Sequence, residues 1–158
     1  MEQFYLILVV LVVAFGGGIM FKKLLERAKL QKEDSGLKKD WLKKRQKDFL
    51  NKFKGDKPAE LKPFLEGDHF MFIKHIPYRI EGADEAIKAY VQLMSETGNF
   101  SSYNQQEKMI SGDAAIVTFN WSRGPVTGKT THVWKYNENK GSWQLIHDHT
   151  SYNPGNGK

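Results

Sequence analysis

Eighteen consecutive residues without a charge, Phe4 to Phe21, constrain this chain more than any other feature. As a helix rising about 1.5 Å per residue the run is roughly 27 Å long, enough to cross a hydrocarbon core. A cleaved secretory signal would carry a basic start and a small-x-small cleavage site. Met1-Glu2-Gln3 holds no Lys or Arg, and Ile19-Met20-Phe21 passes directly into Lys22-Lys23. Residues 1–22 therefore read as a retained transmembrane anchor of a single-pass membrane protein. Cations flank the run on one side only, at Lys22, Lys23, Arg27 and Lys29. The positive-inside rule then places the C-terminal part on the cytoplasmic side, and the same cations are expected to contact lipid head groups. An anchor of the opposite sense is the competing orientation. Ala14, Gly16, Gly17 and Gly18 weaken a helix but allow close backbone approach, so they are candidates for packing against a partner helix.

Beyond the anchor the charge is uneven. Lys22 to Lys62 holds 15 Lys/Arg and 7 Asp/Glu, a local +8, against +6 for all 158 residues. The distal part is thus slightly acidic, whereas nucleic-acid binding asks for a basic face on the folded domain. No nucleic-acid partner is expected; membrane lipid is. The absence of cysteine excludes disulfides, thiolate metal sites and cysteine nucleophiles. With 40% apolar residues and abundant aromatics, the part after the anchor can build a core.

Residues 23–39 are mixed-charge helix formers, read as a charged linker interrupted at Asp34-Ser35-Gly36. A helical pattern resumes through Asp40 to Lys54, with Leu42, Phe49, Leu50 and Phe53 on one side and Trp41 flanking. That stripe suits core packing; a basic amphipathic helix on a membrane surface is the alternative. Pro58 suits a first helical turn and Pro63 keeps that helix short. Phe70 to Ile73 fits a buried strand. Ile87, Tyr90, Val91 and Met94 follow helical spacing, with Asp84 and Glu85 in the first turn and Gly98 as a stop. Two hairpins follow, Gln105–Ile110 with Ala114–Trp121, and Thr130–Tyr136 with Trp143–Thr150, separated by a turn-rich stretch over Arg123 to Gly128. Helices first and antiparallel strands after make an α+β domain over 40–152, and residues 153–158 are expected to be a disordered tail.

Three stretches in this order resemble the nuclear transport factor 2-like, or SnoaL-like, superfamily. They are Phe64-Leu65-Glu66-Gly67-Asp68-His69, Ile80-Glu81-Gly82-Ala83-Asp84-Glu85-Ala86-Ile87, and Thr131 to Lys135 followed by Gly141 to Ser151. The last is similar to the closing strands of the calcium/calmodulin-dependent kinase II association domain. The resemblance covers roughly residues 37–152 and implies a cone, with helices packed inside a strongly bent antiparallel sheet and a pocket at its wide end. It implies no single function, because isomerases, dehydratases, cyclases, transport factors and assembly domains share that fold.

Strand alternation puts His132, Trp134 and Tyr136 on one face of their strand, and Leu145, His147 and His149 on one face of the next. His132 could then approach His147 or His149 across the hairpin, with Asp148 pointing to the other face. Imidazoles so placed are candidate acid/base residues, the catalytic set if the chain is an enzyme. Three of them could also ligate zinc. The resembling families carry such histidines as hydrogen-bonded residues, so no metal and no cofactor is assigned. Asp68, His69, Tyr78, Tyr90 and Tyr103 are further pocket candidates that no spacing selects. Without a readable catalytic set, the leading expectation is a membrane-anchored, non-catalytic binding or assembly module. It would be an accessory subunit with a transmembrane protein partner, or a homo-oligomer. The alternative is a membrane-associated enzyme of the SnoaL or ketosteroid isomerase type acting on a small lipophilic substrate.

Overall fold

The computed structural model describes the backbone of residues 2–55, 57–73, 76, 78–94 and 99–153; the side chains of 1–21, 31, 32, 35, 152 and 153 lie outside that description. Helix α1 runs Glu2–Lys54 and is followed by a 3-10 helix, Pro58–Phe64. Strand β1 is Leu65–Ile73, β2 is Ile80–Glu81 and helix α2 is Ala83–Met94. Strands β3 to β6 are Phe100–Met109, Ala114–Arg123, Val126–Asn137 and Ser142–Asn153. The chain divides into two compact units, Met1–Lys38 and Lys39–Lys158.

In the first unit the expected interruption at Asp34-Ser35-Gly36 does not occur, because the helix passes through it. Lys38 and Asp34 pair there at 3.3 Å, one turn apart. Among the described residues no helix is long and apolar enough to cross a membrane. The expected span Phe4 to Phe21, with Ala14, Gly16, Gly17 and Gly18, falls among residues whose side chains lie outside the description.

The second unit packs its helices on one six-stranded sheet of order β2-β1-β6-β5-β4-β3. The α+β class holds, but the sheet is mixed rather than antiparallel: β1 enters beside β6 in parallel, Phe70 against His147 and Phe72 against His149. A chain that leaves its first strand for a helix and returns as a meander can close on that strand from either side, and sequence periodicity does not encode which. The turn-rich stretch is a tight turn. Arg123 pairs with Val126 around Gly124-Pro125, and Gly124 takes a φ of 56°, which a side chain rarely tolerates. Strand β5 therefore starts at Val126, and β3 to β6 form one continuous meander.

The inner face of the sheet and the helices share a core that includes Leu42, Phe49, Leu61, Met71, Tyr90, Trp134 and Leu145. Core packing is thus what the apolar stripe of α1 does, and it includes Gln46, fully buried with it. Trp41 flanks it as expected, 47% exposed and stacked on Tyr136 at 6.0 Å. On α2 the buried positions are Ala86, Ala89, Tyr90 and Met94, while Val91 faces out. Gly98, the expected stop, and the tail after Asn153 lie outside the described residues.

Candidate functional site

The inner face of β5 and β6 carries the chemistry. Alternation along β5 turns Thr130, His132 and Trp134 inward, and β6 brings Asp148 and Thr150 beside them. Asp148 is 1% exposed and accepts hydrogen bonds on both oxygens, from Tyr90 of α2 at 2.9 Å and from Thr150 at 3.0 Å. The chain of hydroxyls continues from Thr150 to Thr130 at 2.8 Å, and Trp121 donates its indole N–H to Thr130 at 3.1 Å.

Gln46 orients His132. Trp134 Nε1 meets Gln46 Oε1 at 2.9 Å, and an indole nitrogen only donates, so that amide atom is the oxygen. His132 Nδ1 lies 3.0 Å from the same oxygen and therefore carries a hydrogen. Its Nε2 is left facing Asp148 Oδ2 at 3.7 Å, an ion-pair distance. The sequence put Asp148 on the wrong face. Val133 pairs with His147 but Trp134 pairs with Leu145, so Ile146 is an extra residue in β6. A bulge of one residue reverses the facing of everything beyond it. His147 and His149 consequently stand on the outer face, Thr131 rather than His132 lies opposite His149, and the expected imidazole pair does not form. His147 stacks on Phe70 at 4.4 Å and its Nδ1 meets the Phe70 carbonyl at 3.1 Å.

Among the looser candidates, Tyr90 and His69 are interior, whereas Tyr78 and Tyr103 are 68% and 46% exposed and Asp68 is exposed. His69 sits where the β1–β6 register slips between Leu65 and Phe70, and its Nδ1 is 3.1 Å from the Leu145 carbonyl. A carbonyl can only accept, so Nδ1 donates and Nε2 is the bare nitrogen, buried without a hydrogen-bond partner among the described residues. Burial pushes the His69 imidazole below its ordinary range, against the pull of Asp148. Burial also acts to raise the Asp148 carboxyl, but His132, His69 and the Tyr90 hydroxyl outweigh it and hold the group below the usual carboxylate range. Burial, with Asp148 adding to it, pushes the Tyr90 hydroxyl well up. A carboxylate, an imidazole with a fixed tautomer and a neutral phenol in an apolar shell can in principle shuttle a proton.

Space limits what reaches them. The cavity above Asp148 is about 20 Å³, room for about one water molecule. Phe49, Phe53 and Leu50 of α1 and Phe100, Phe119 and Trp121 of the sheet wall it in. Trp121 lies flat on the sheet because Gly128 opposite has no side chain; a Cβ there would stand 2.3 Å from the indole. An outer groove of about 520 Å³ between β1, β5 and β6 is larger but open, and Lys140 and Asn137 already hold its Glu66 carboxylate. Among the described residues no group of three His, Cys, Asp or Glu could hold a metal ion.

No protein-family model matches the chain, and no curated protein matches it. Solved structures do. A protein assigned as a scytalone dehydratase from Novosphingobium aromaticivorans superposes with a TM-score of 0.63 at 12% identity, over 80% of this chain and 93% of its own. A ketosteroid isomerase-like protein from Erwinia carotovora atroseptica gives 0.61 at 16%, over 72% and 94%. A protein assigned as a calcium/calmodulin-dependent protein kinase II association domain from Xanthomonas campestris gives 0.56 at 13%, over 68% and 82%. At such identities the likeness shows the fold alone, the nuclear transport factor 2-like cone, and these three differ in what they are assigned to do.

Proposed function

We propose that this chain is a membrane-tethered, non-catalytic binding or assembly module, serving a larger membrane complex as an accessory subunit or joining copies of itself. One observation carries the reading: the interior of the cone leaves almost no room for a ligand. Small-molecule sites span about 300–1,000 Å³, against about 20 Å³ here. The interior polar groups around Asp148 also spend their hydrogen bonds on one another. The tether rests on the uncharged run Phe4 to Phe21 and the lysines after it, which orient the folded domain toward the cytoplasm. Extraction in mild detergent followed by mass determination tests the module. A complex or oligomer is expected, and a lone monomer without a co-purifying protein would sink it.

A second reading has one observation in its favour, the Asp148–His132–Tyr90 set on the cavity floor. In an enzyme of the ketosteroid isomerase type, Asp148 and His132 would move a proton on a small lipophilic substrate and Tyr90 would donate to its oxygen. Phe53→Ala, which removes a wall of the cavity, separates the two readings. If lipophilic enones raise the melting temperature of that variant and it exchanges their α-protons, the enzyme reading gains. Without either effect it falls.

A further inference from the structure

Within the domain, helix α1 has two opposed sides. Leu42, Gln46 and Phe49 are buried. Lys43, Lys44, Lys47 and Lys54 away from them are exposed, and Lys39, one turn before Lys43, is exposed as well. Neighbouring lysines are engaged: Lys52 and Lys57 hold Glu60, and Lys62 holds Asp84. These five lysines have no ion pair among the described residues. Asp40 lies among them, while the half-buried Asp48 acts on Arg45.

Like charges four residues apart on a helix repel, and Lys39, Lys43 and Lys47 stack at that spacing. An anionic surface converts this repulsion into attraction, each lysine contributing about fivefold to partitioning. Trp41, 47% exposed on the flank, offers an indole of the kind that settles at head-group depth.

We infer that this lysine face of α1 docks on an anionic lipid surface. The choice of lipid over another polyanion rests on the tether reading, because an anchored chain meets lipid at high effective concentration.

Lysine acylation rates, read by mass spectrometry, test the face. The full chain is placed with vesicles of phosphatidylcholine alone or mixed with phosphatidylserine. Labelling of Lys43, Lys44, Lys47 and Lys54 is expected to slow about fivefold on the anionic vesicles. It should recover in about 1 M salt, where screening falls to about 3 Å. Lys129 and Lys135, exposed on β5, serve as controls whose rates stay constant. Lys43→Glu combined with Lys47→Glu and Lys54→Glu should abolish the slowing at Lys44. Equal rates on both vesicles would overturn the proposal. Equal slowing by soluble heparin would also overturn it, assigning the face to another polyanion. Flotation on neutral vesicles reads the tether separately: loss there rejects the anchor, and the anionic contrast still decides the lysine face.

Discussion

The β5–β6 hairpin carries histidines on both faces, and the two faces treat them differently. His132, on the inner face, is 1% exposed, has its tautomer set by Gln46 and faces the Asp148 carboxylate. His149, on the outer face, is exposed and meets the edge of Phe72 at 6.3 Å. The residue type is the same, but burial makes each inner polar contact costly to lose, while solvent replaces whatever an outer one gives up. The chemistry of this domain therefore sits where partners are fixed and water is excluded.

That contrast can be broken most severely at Asp148. Asp148→Ala strands His132 and removes the acceptor of Tyr90 and Thr150. A loss of about 3–5 kcal/mol in denaturant unfolding is expected. Gly128→Ala should cost about 1–3 kcal/mol by forcing Trp121 off the sheet, and the same assay with tryptophan fluorescence should show the indole displaced. Gly112→Ala, with nothing within 4 Å of the added carbon, is the control and should change little.

Acid should separate the faces next. His69 is lowered by burial, so between its folded value and about 6.5 the unfolded chain binds more protons. Stability is full above that range and falls as pH drops through it. Asp148 adds a second loss below about 3.9, because its folded value is also lowered. Unfolding midpoints from pH 8 to pH 3 should decline in two stages, and His69→Gln should flatten the first. The smallest effect is expected outside: His149→Ala should stay within about 0.5 kcal/mol of the parent in the same assay.

Much of the architecture was legible. Tyr90 and Met94 of α2, the turn at Asn137 to Gly141 and the apolar side of α1 follow from periodicity and turn chemistry, which are local. Gln46 was missed because a glutamine inside a lysine-rich helix gives no sign of burial until Trp134 and His132 arrive to bond it. Asp148 was misplaced because strand alternation counts residues, and an extra one at Ile146 shifts the count. Thr150 passed unnoticed for the same reason.

By itself the sequence determined the α+β composition, the order of elements, the concentration of positive charge over residues 22–62 and an 18-residue uncharged run. Each depends on neighbours in the chain and on side-chain polarity alone. Only the tertiary structure decided that β1 lies parallel to β6, that Asp148 rather than His147 or His149 faces His132, and that Phe49 and Phe53 help narrow the interior of the cone to a space for about one water. Those outcomes depend on register and packing between segments up to a hundred residues apart, where a single bulge or ring decides which groups meet.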